Sequence, residues 1–477
     1  MDDKSKYSYC AAAQTDEAQK SQETFPPKKK TRIKKPFAAV LTVALIAAAL
    51  AAAFGIAKST AVTPEPVSEI EPFRGESGNY SGATFVSLAN AAYSAGTVFG
   101  SDYYSVAQTY RQSLKKLSAF FDELTKKMLE GKSGAVVSPV NVYAALSALA
   151  ECTDGTSRRQ ILDLIGVTDI EELREQSKLV WLYNSRDDGY GRSLLGNSVW
   201  LSSDMPVKEN CVKILNDDHY ASVFTGDFAA DEYKTALKQW ISDQTCGLLD
   251  DCVNAIEIPD GTAAALVSTL CYKTRWNAEY RETEQGTFKG AHGSKDCVFN
   301  KKTLMGEIYV GDCFTAFGEL LSDRNSMWFF LPDPGKSTND VIKSGLVSFI
   351  NSEKDGKTYD VTVRMPDFDV DFNGSVTDVL HALGVTDCAD HTKADFSPLT
   401  DDGLYLDEFI HSVRFKADKK GVEGAAFSVM RAQGGSPKDK EDYDFTLDKP
   451  FVFMVVNNGV PLFVGTVGDI KQTNSLS

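Results

Sequence analysis

From Tyr104 to Leu129, apolar residues recur at the three- and four-residue spacing of one helix face (Leu114, Leu117, Phe120, Phe121, Leu124, Met128), and Gly131 marks the stop. The short apolar run Ala135–Val137 reads as a strand. Ser138-Pro139 then supplies an N-cap and a first-turn proline for a helix running to Ala150. Gly155-Thr156 opens another helix, which closes at Gly166. Strand patterns follow at Asn197–Ser203, Ala264–Trp276, Ser326–Pro332 and Asp360–Phe372, with helices at Leu237–Leu249 and Gly374–Val385 between them. The interspersed elements keep no regular βαβ period. The pattern therefore predicts an α+β body around a large central antiparallel sheet rather than a doubly wound one.

The N-terminal hundred residues follow different rules. Phe37–Ala57 contains no charge, and a helix of that length is roughly 30 Å long, enough to span a bilayer core. Lys28, Lys29, Lys30, Arg32, Lys34 and Lys35 precede it, so residues 1–36 are expected to stay cytoplasmic and the rest to be exported. The run exceeds the apolar core of a signal peptide and follows a long polar leader, which favours a retained transmembrane anchor. Gly55-Ile56-Ala57 nevertheless offers a cleavage site that would release a secreted body. Residues 58–103, rich in Ser, Gly, Thr and Ala and carrying Pro64, Pro66 and Pro72, read as a flexible linker with one short helix near Phe85–Ala95. The folded domain is placed at 104–471, before a short tail, 472–477.

Composition narrows the function. The chain of 477 residues has 50 Lys+Arg against 66 Asp+Glu, a formal charge of -16. Residues 1–57 hold nine basic and five acidic residues, net +4, which leaves -20 for the exported part and argues against nucleic-acid binding. Nine cysteines without a CxxC or Cys/His cluster point to no zinc site, and no cofactor is expected. Pro334–Ser337 lacks the first glycine of a P-loop, and Asp367, Asp369 and Asp371 alternate with Phe368, Val370 and Phe372 as on a strand with one wet face. No GxSxG elbow accompanies the five histidines, so a hydrolase is disfavoured.

About thirty residues between the apolar stretches Phe409–Phe415 and Phe451–Val456 resist assignment, and a loop this long in a compact domain is functional or disordered. Its charges keep a phase of two. Val422, Gly424, Ala426, Ser428, Met430, Ala432 and Gly434 are small or apolar, whereas Glu423, Arg431 and Gln433 fall on the other set. Such a segment can live as an exposed loop and still bury one face if it enters a sheet.

With these features the chain resembles the serpin family over roughly Tyr104–Lys471. The resemblance is carried by VVSPVNVYAALSALAECTDGTSRRQIL, LKQWISDQTCGLL, LVSTLCYKTRW, WFFLPD, VRMPDF, KADFSPL, FIHSVRF, KPFVF and LFVGTV, in family order. It implies a metastable serpin-like fold with a five-stranded central sheet, smaller sheets, about nine helices and an exposed reactive loop. A serine protease cuts that loop and is trapped when the freed segment inserts as a new strand. On this likeness the hinge comprises Gly421, Val422, Glu423, Gly424, Ala425 and Ala426; the sheet-opening region Ser138, Asn141, Ser268 and His411; and the breach Trp276. Family spacing puts the reactive bond at Gly435–Ser436, with Met430–Arg431 and Arg431–Ala432 as alternatives. Elastase- or subtilisin-like proteases are the expected partners, and a monomer is expected. The hinge departs from the inhibitory pattern at Lys419, where Glu is common, at Val422, where Thr or Ser is common, and at Gly424, where Ala is usual. A non-inhibitory binding or scaffold protein on the same fold is therefore the alternative reading.

Overall fold

The computed structural model describes residues 81–91, 103–187, 191–245, 262–406, 409–422 and 441–470. The expected cytoplasmic tail 1–36, the expected anchor 37–57, most of the expected linker, residues 471–477 and loop residues 423–440 lie outside the described residues.

The strands, β1–β17 in chain order, make two sheets. The first contains β1 (Phe85–Ala89), β5 (Ala221–Gly226), β4 (Gly191–Ser202), β6 (Ala264–Arg275), β14 (Gly421–Val422), β13 (Ile410–Ala417) and β12 (Phe368–Ser375), in that spatial order, with β3 (Arg186–Asp187) beside β4. The second runs β15 (Asp442–Thr446), β11 (Lys357–Pro366), β8 (Gly293–Val310), β9 (Phe314–Leu320), β10 (Ser326–Pro332), β16 (Phe451–Asn457), β17 (Val460–Val467) and β2 (Val136–Val137), with β7 (Glu282–Gly290) beside β8. The described helices are α1 (Tyr103–Leu129), α2 (Pro139–Cys152), α3 (Gly155–Ile165), α4 (Ile170–Asn184), α5 (Glu209–His219), α6 (Asp231–Gln244), α7 (Thr338–Lys343), α8 (Leu346–Asn351) and α9 (Thr377–Ala382).

The five long strands β5, β4, β6, β13 and β12 match the expected central sheet, but the sheet is mixed rather than antiparallel. β4 and β5 pair in parallel because α5 returns the chain between them, the crossover that parallel neighbours require. Helix α2 is buried along its whole length, and a single apolar core joins it to both sheets. Pro139 occupies its first turn as the sequence predicts.

Three expectations are corrected. Phe85–Ala89 forms an edge strand instead of a helix: its exposure follows period two, with Phe85 buried and Val86 and Leu88 exposed. Glu232 on α6 holds this strand's entry, accepting from the backbone N–H groups of Ala83 and Thr84 and from the Thr84 hydroxyl. The linker expected at 58–103 thus contributes a strand to the folded body. The apolar run Asp360–Phe372 breaks at Asp367 and serves both sheets, β11 in one and β12 in the other. The helix expected at Gly374–Val385 shortens to Thr377–Ala382 because Gly374 and Ser375 still pair with His411 and Ile410.

Phe85 packs with Tyr233, its ring centroids 5.6 Å apart, in a cluster on the outer face of the sheet. Phe85→Ala should therefore lower stability by about 3 kcal/mol. Chemical denaturation checks this, and an unchanged midpoint would mean that the edge strand contributes nothing to the fold.

Candidate functional site

Strands β6 and β13 both run antiparallel to β14 and hence parallel to each other. Only the two residues of β14 bridge them: Gly421 sits opposite Arg275, and Val422 lies between Thr274 and Ala417. Below β14, no ladder pairing joins β6 to β13 among the described residues. The central sheet thus contains an unzipped seam, a slot into which β14 inserts only two residues, and beyond β14 the two flanking strands lie close without sharing a ladder. A narrow crevice lined by Asn141, Thr245, Leu270, Ser412, Val413, Arg414 and Phe463 opens on it.

The top of the slot is built around a four-residue turn, Asp418–Gly421. The Asp418 carboxylate accepts from the backbone N–H of Lys420 at 2.6 Å and of Gly421 at 3.1 Å, and the Asp418 N–H donates to the Gly421 carbonyl at 3.0 Å. Gly421 is required by contact: a Cβ there would lie 2.3 Å from the Thr274 carbonyl oxygen and 2.7 Å from Arg275 Cα. Val422 is buried to 1%. The Trp276 indole N–H donates to the Asp418 carbonyl at 2.7 Å and so fixes the same turn. Behind Trp276 lie Tyr280 and a buried ion pair, Lys302–Glu319, with the Lys302 ammonium 3.8 Å from the Tyr280 ring centroid. Burial pushes the Glu319 carboxyl up and the Lys302 ammonium down, each towards neutrality, while their mutual attraction opposes both shifts.

The floor of the slot is polar. His411 Nε2 accepts the Ser138 backbone N–H at 3.1 Å, which makes that nitrogen the unprotonated one. Burial holds the imidazole down at about 4. Ser138 Oγ, Asn141 Oδ1 and Ser268 Oγ are buried without a hydrogen-bond partner among the described residues. Such groups each cost on the order of 1–3 kcal/mol, a penalty that a further strand could relieve.

The structure therefore gathers Ser138, Asn141, Ser268, His411, Trp276, Gly421 and Val422 around one feature. Glu423, Gly424, Ala425, Ala426 and the candidate reactive-bond residues Met430, Arg431, Ala432, Gly435 and Ser436 lie outside the described residues. Lys419 is exposed, and the carboxylate that organises the turn is its neighbour Asp418. Sequence reasoning missed Asp418, Tyr280, Lys302 and Glu319. The last two stand on separate strands, β8 and β9, and no local spacing links them.

A family model described as Serpin (serine protease inhibitor) matches residues 94–470. The chain belongs to the serpin family. Among its relatives, Serpin-ZX of Arabidopsis thaliana is 25% identical over 367 residues, covering 71% of this chain and 92% of its own. Alpha-1-antiproteinase of Rattus norvegicus is 24% identical over 387 residues, covering 76% and 90%. Among solved structures, the thermophilic serpin tengpin in its native state superposes with a TM-score of 0.68 at 22% identity, covering 81% of this chain and all of its own. Human thyroxine-binding globulin reaches 0.65 at 18% identity, covering 77% and 100%. Likenesses at that identity establish the fold.

In this serpin His411 should make stability acid-sensitive. Its folded value of about 4 lies below the ordinary 6.5, so the native state resists protonation that the unfolded chain accepts. Stability is then complete above pH 6.5 and falls as pH drops towards 4, by about 3 kcal/mol from this residue. Chemical denaturation at pH 7 and pH 4.5 should show the loss, and His411→Gln should shrink it; an undiminished loss in the variant would assign the effect elsewhere.

Proposed function

We propose that this serpin is a protease inhibitor that acts as a suicide substrate, its cleaved loop entering the slot between β6 and β13. The observation that carries the reading is β14, which sets the register for everything behind it. Continuing the pairing of Gly421 with Arg275 and of Val422 with Ala417 places Ala425 between Cys271 and Arg414. It places Ser428 between Ser268 and His411, beside the unpartnered floor. In an inserted strand the even-numbered residues from Val422 to Gly434, all small or apolar, would share the buried face of Val422, and odd-numbered Glu423, Phe427 and Arg431 would fall on the outward face.

The Gly435–Ser436 bond is the proposed point of attack for elastase- or subtilisin-like enzymes. Cleavage there frees residues 421–435, a strand of about 50 Å at roughly 3.3 Å per residue. Cleavage after Arg431 by a trypsin-like enzyme frees only eleven residues, about 36 Å, and carries the acyl-enzyme less far. The alternative use of the fold, as a carrier or scaffold, has its counterpart in thyroxine-binding globulin, solved in complex with thyroxine. The partially docked hinge and the unpaired seam between β6 and β13 favour inhibition here.

Incubation with subtilisin- and elastase-type proteases should give a complex that survives denaturation, with the released C-terminal fragment starting at Ser436. Trypsin should cut mainly after Arg431 and escape. Val422→Arg should turn inhibitor into substrate, because a cation would have to enter a site that is 1% exposed. Absence of a complex with every protease class would support the carrier reading.

We also propose that the body is tethered to a cell membrane by 37–57 and faces the exterior. Full-length protein should then fractionate with membranes, and external protease should remove the body while sparing residues 1–36. A soluble body starting at Lys58 would contradict the anchor.

A further inference from the structure

The described cysteines fall into three groups. Cys271 is disulfide-bonded. Cys297, Cys313 and Cys388 are free and buried on separate elements: β8, the turn before β9, and the short turn after α9. Cys152 and Cys211 are free and buried too, at 0% and 3% exposure, but their thiols hydrogen-bond to each other. Cys152 is the last residue of α2, and Cys211 stands in the first turn of α5. The Cys211 thiol also donates to the Glu151 carbonyl at 3.8 Å, so both sulfurs share one corner of the helix junction. The contact with Cys211, together with burial, holds the Cys152 thiol well above its usual range.

A second set of contacts fixes the same junction. The Glu151 carboxylate accepts from Arg174 of α4 at 2.6 and 2.8 Å, and from Nε2 of His219, the last residue of α5, at 3.1 Å. Burial would raise the Glu151 carboxyl, but the hydrogen bonds from His219 and Arg174 outweigh it and hold the group below its usual range. The end of α2 is thus held against both ends of α5, and the two thiols meet without a covalent bond. This junction lies on a route across the central sheet. The start of α2 is bound to β13 through the Ser138–His411 hydrogen bond, and α5 runs directly into β5. Strands β13 and β12 lie on one side of the seam, and β6, β4 and β5 on the other.

We propose that Cys152 and Cys211 close into a disulfide that covalently ties the β5 side of the central sheet to the β13 side. Two sulfurs in hydrogen-bonding contact need only approach to the roughly 2.05 Å of an S–S bond. The oxidant is a small disulfide such as glutathione disulfide, and exchange takes two steps. One protein thiol loses its proton and attacks the oxidant, giving a mixed disulfide and releasing one reduced thiol. The second protein thiol loses its proton and attacks the protein sulfur of that mixed disulfide, which closes the Cys152–Cys211 bond and releases the second reduced thiol. The cysteine pair gives up two electrons and the oxidant takes them. Because the thiolate is the attacking form and the packed Cys152 thiol resists ionisation, exchange occurs before α2 and α5 close, and folding retains the pairing whose sulfurs meet.

Neither the bond nor the tie depends on the chain being an inhibitor. The full-length chain, denatured and reduced, is refolded in a glutathione redox buffer or under reductant, then alkylated and digested without reduction. Mass spectrometry should find a peptide joining Cys152 to Cys211 after oxidative refolding; recovery of both residues in alkylated form would overturn the bond. Closing a loop of about sixty residues should raise Tm by on the order of 5 °C. The Cys152→Ala/Cys211→Ala variant, which keeps Cys271, should gain less on oxidation by that amount, and an equal gain would assign the stabilisation to another bond. The tie is read by amide exchange on the natural sequence, so it stands even if the variant fails to fold. Amides of Val212–Leu215 on α5 and Ser222–Phe224 on β5 should exchange about tenfold more slowly in the oxidised chain, while those of β10 in the second sheet change little. Protection that rises equally in both sheets, or in neither, would overturn the tie across the seam.

Discussion

The structure turns on a single unmade interaction: β6 and β13 lie side by side in parallel, yet below Val422 their facing backbone groups share no ladder. A sheet interior normally pairs every N–H and C=O, and an open edge is a template for another strand. Here two such edges face each other inside one sheet, above a floor where Ser138 Oγ, Asn141 Oδ1 and Ser268 Oγ also lack partners among the described residues. On the proposed mechanism the loop would supply the hydrogen bonds missing here, and the intact fold would persist through a kinetic barrier rather than through its free energy alone.

Other parts of the molecule make sense as holding this slot at one stage of filling. Gly421 fits against the backbone of Thr274 and Arg275 where no side chain could, Asp418 closes the turn that delivers it, and Trp276 anchors that turn through its carbonyl. The Lys302–Glu319 pair behind Trp276 is costly to bury and gains its value by fixing the geometry around Tyr280. At the opposite end, neutral His411 ties β13 to the start of α2, so opening the slot and disturbing this helix are mechanically linked.

Much of this was legible in the sequence because it is written in periodicities. The period-two phase of small residues after Gly421 assigns one face of the loop to burial, and of that set only Val422 is among the described residues, where it is buried. Ser138-Pro139 announced the start of α2 by local stereochemistry alone. What escaped was non-local. Phe85–Ala89 is too short to declare itself without β5 beside it, and Asp360–Phe372 conceals a change of sheet within one apolar run. The parallel pairing of β4 and β5, and the meeting of Lys302 with Glu319, depend on topology that no window of sequence contains.

Amide hydrogen exchange of the β6 and β13 residues that line the slot, compared before and after proteolytic cleavage of the loop, tests the central claim directly. The intact chain should exchange slot-facing amides of Val267–Tyr272 and Ser412–Phe415 readily, and the cleaved chain should protect them to the level of the sheet's paired strands. Equal protection in the two forms would mean that the slot is already closed or never fills, and would contradict the account.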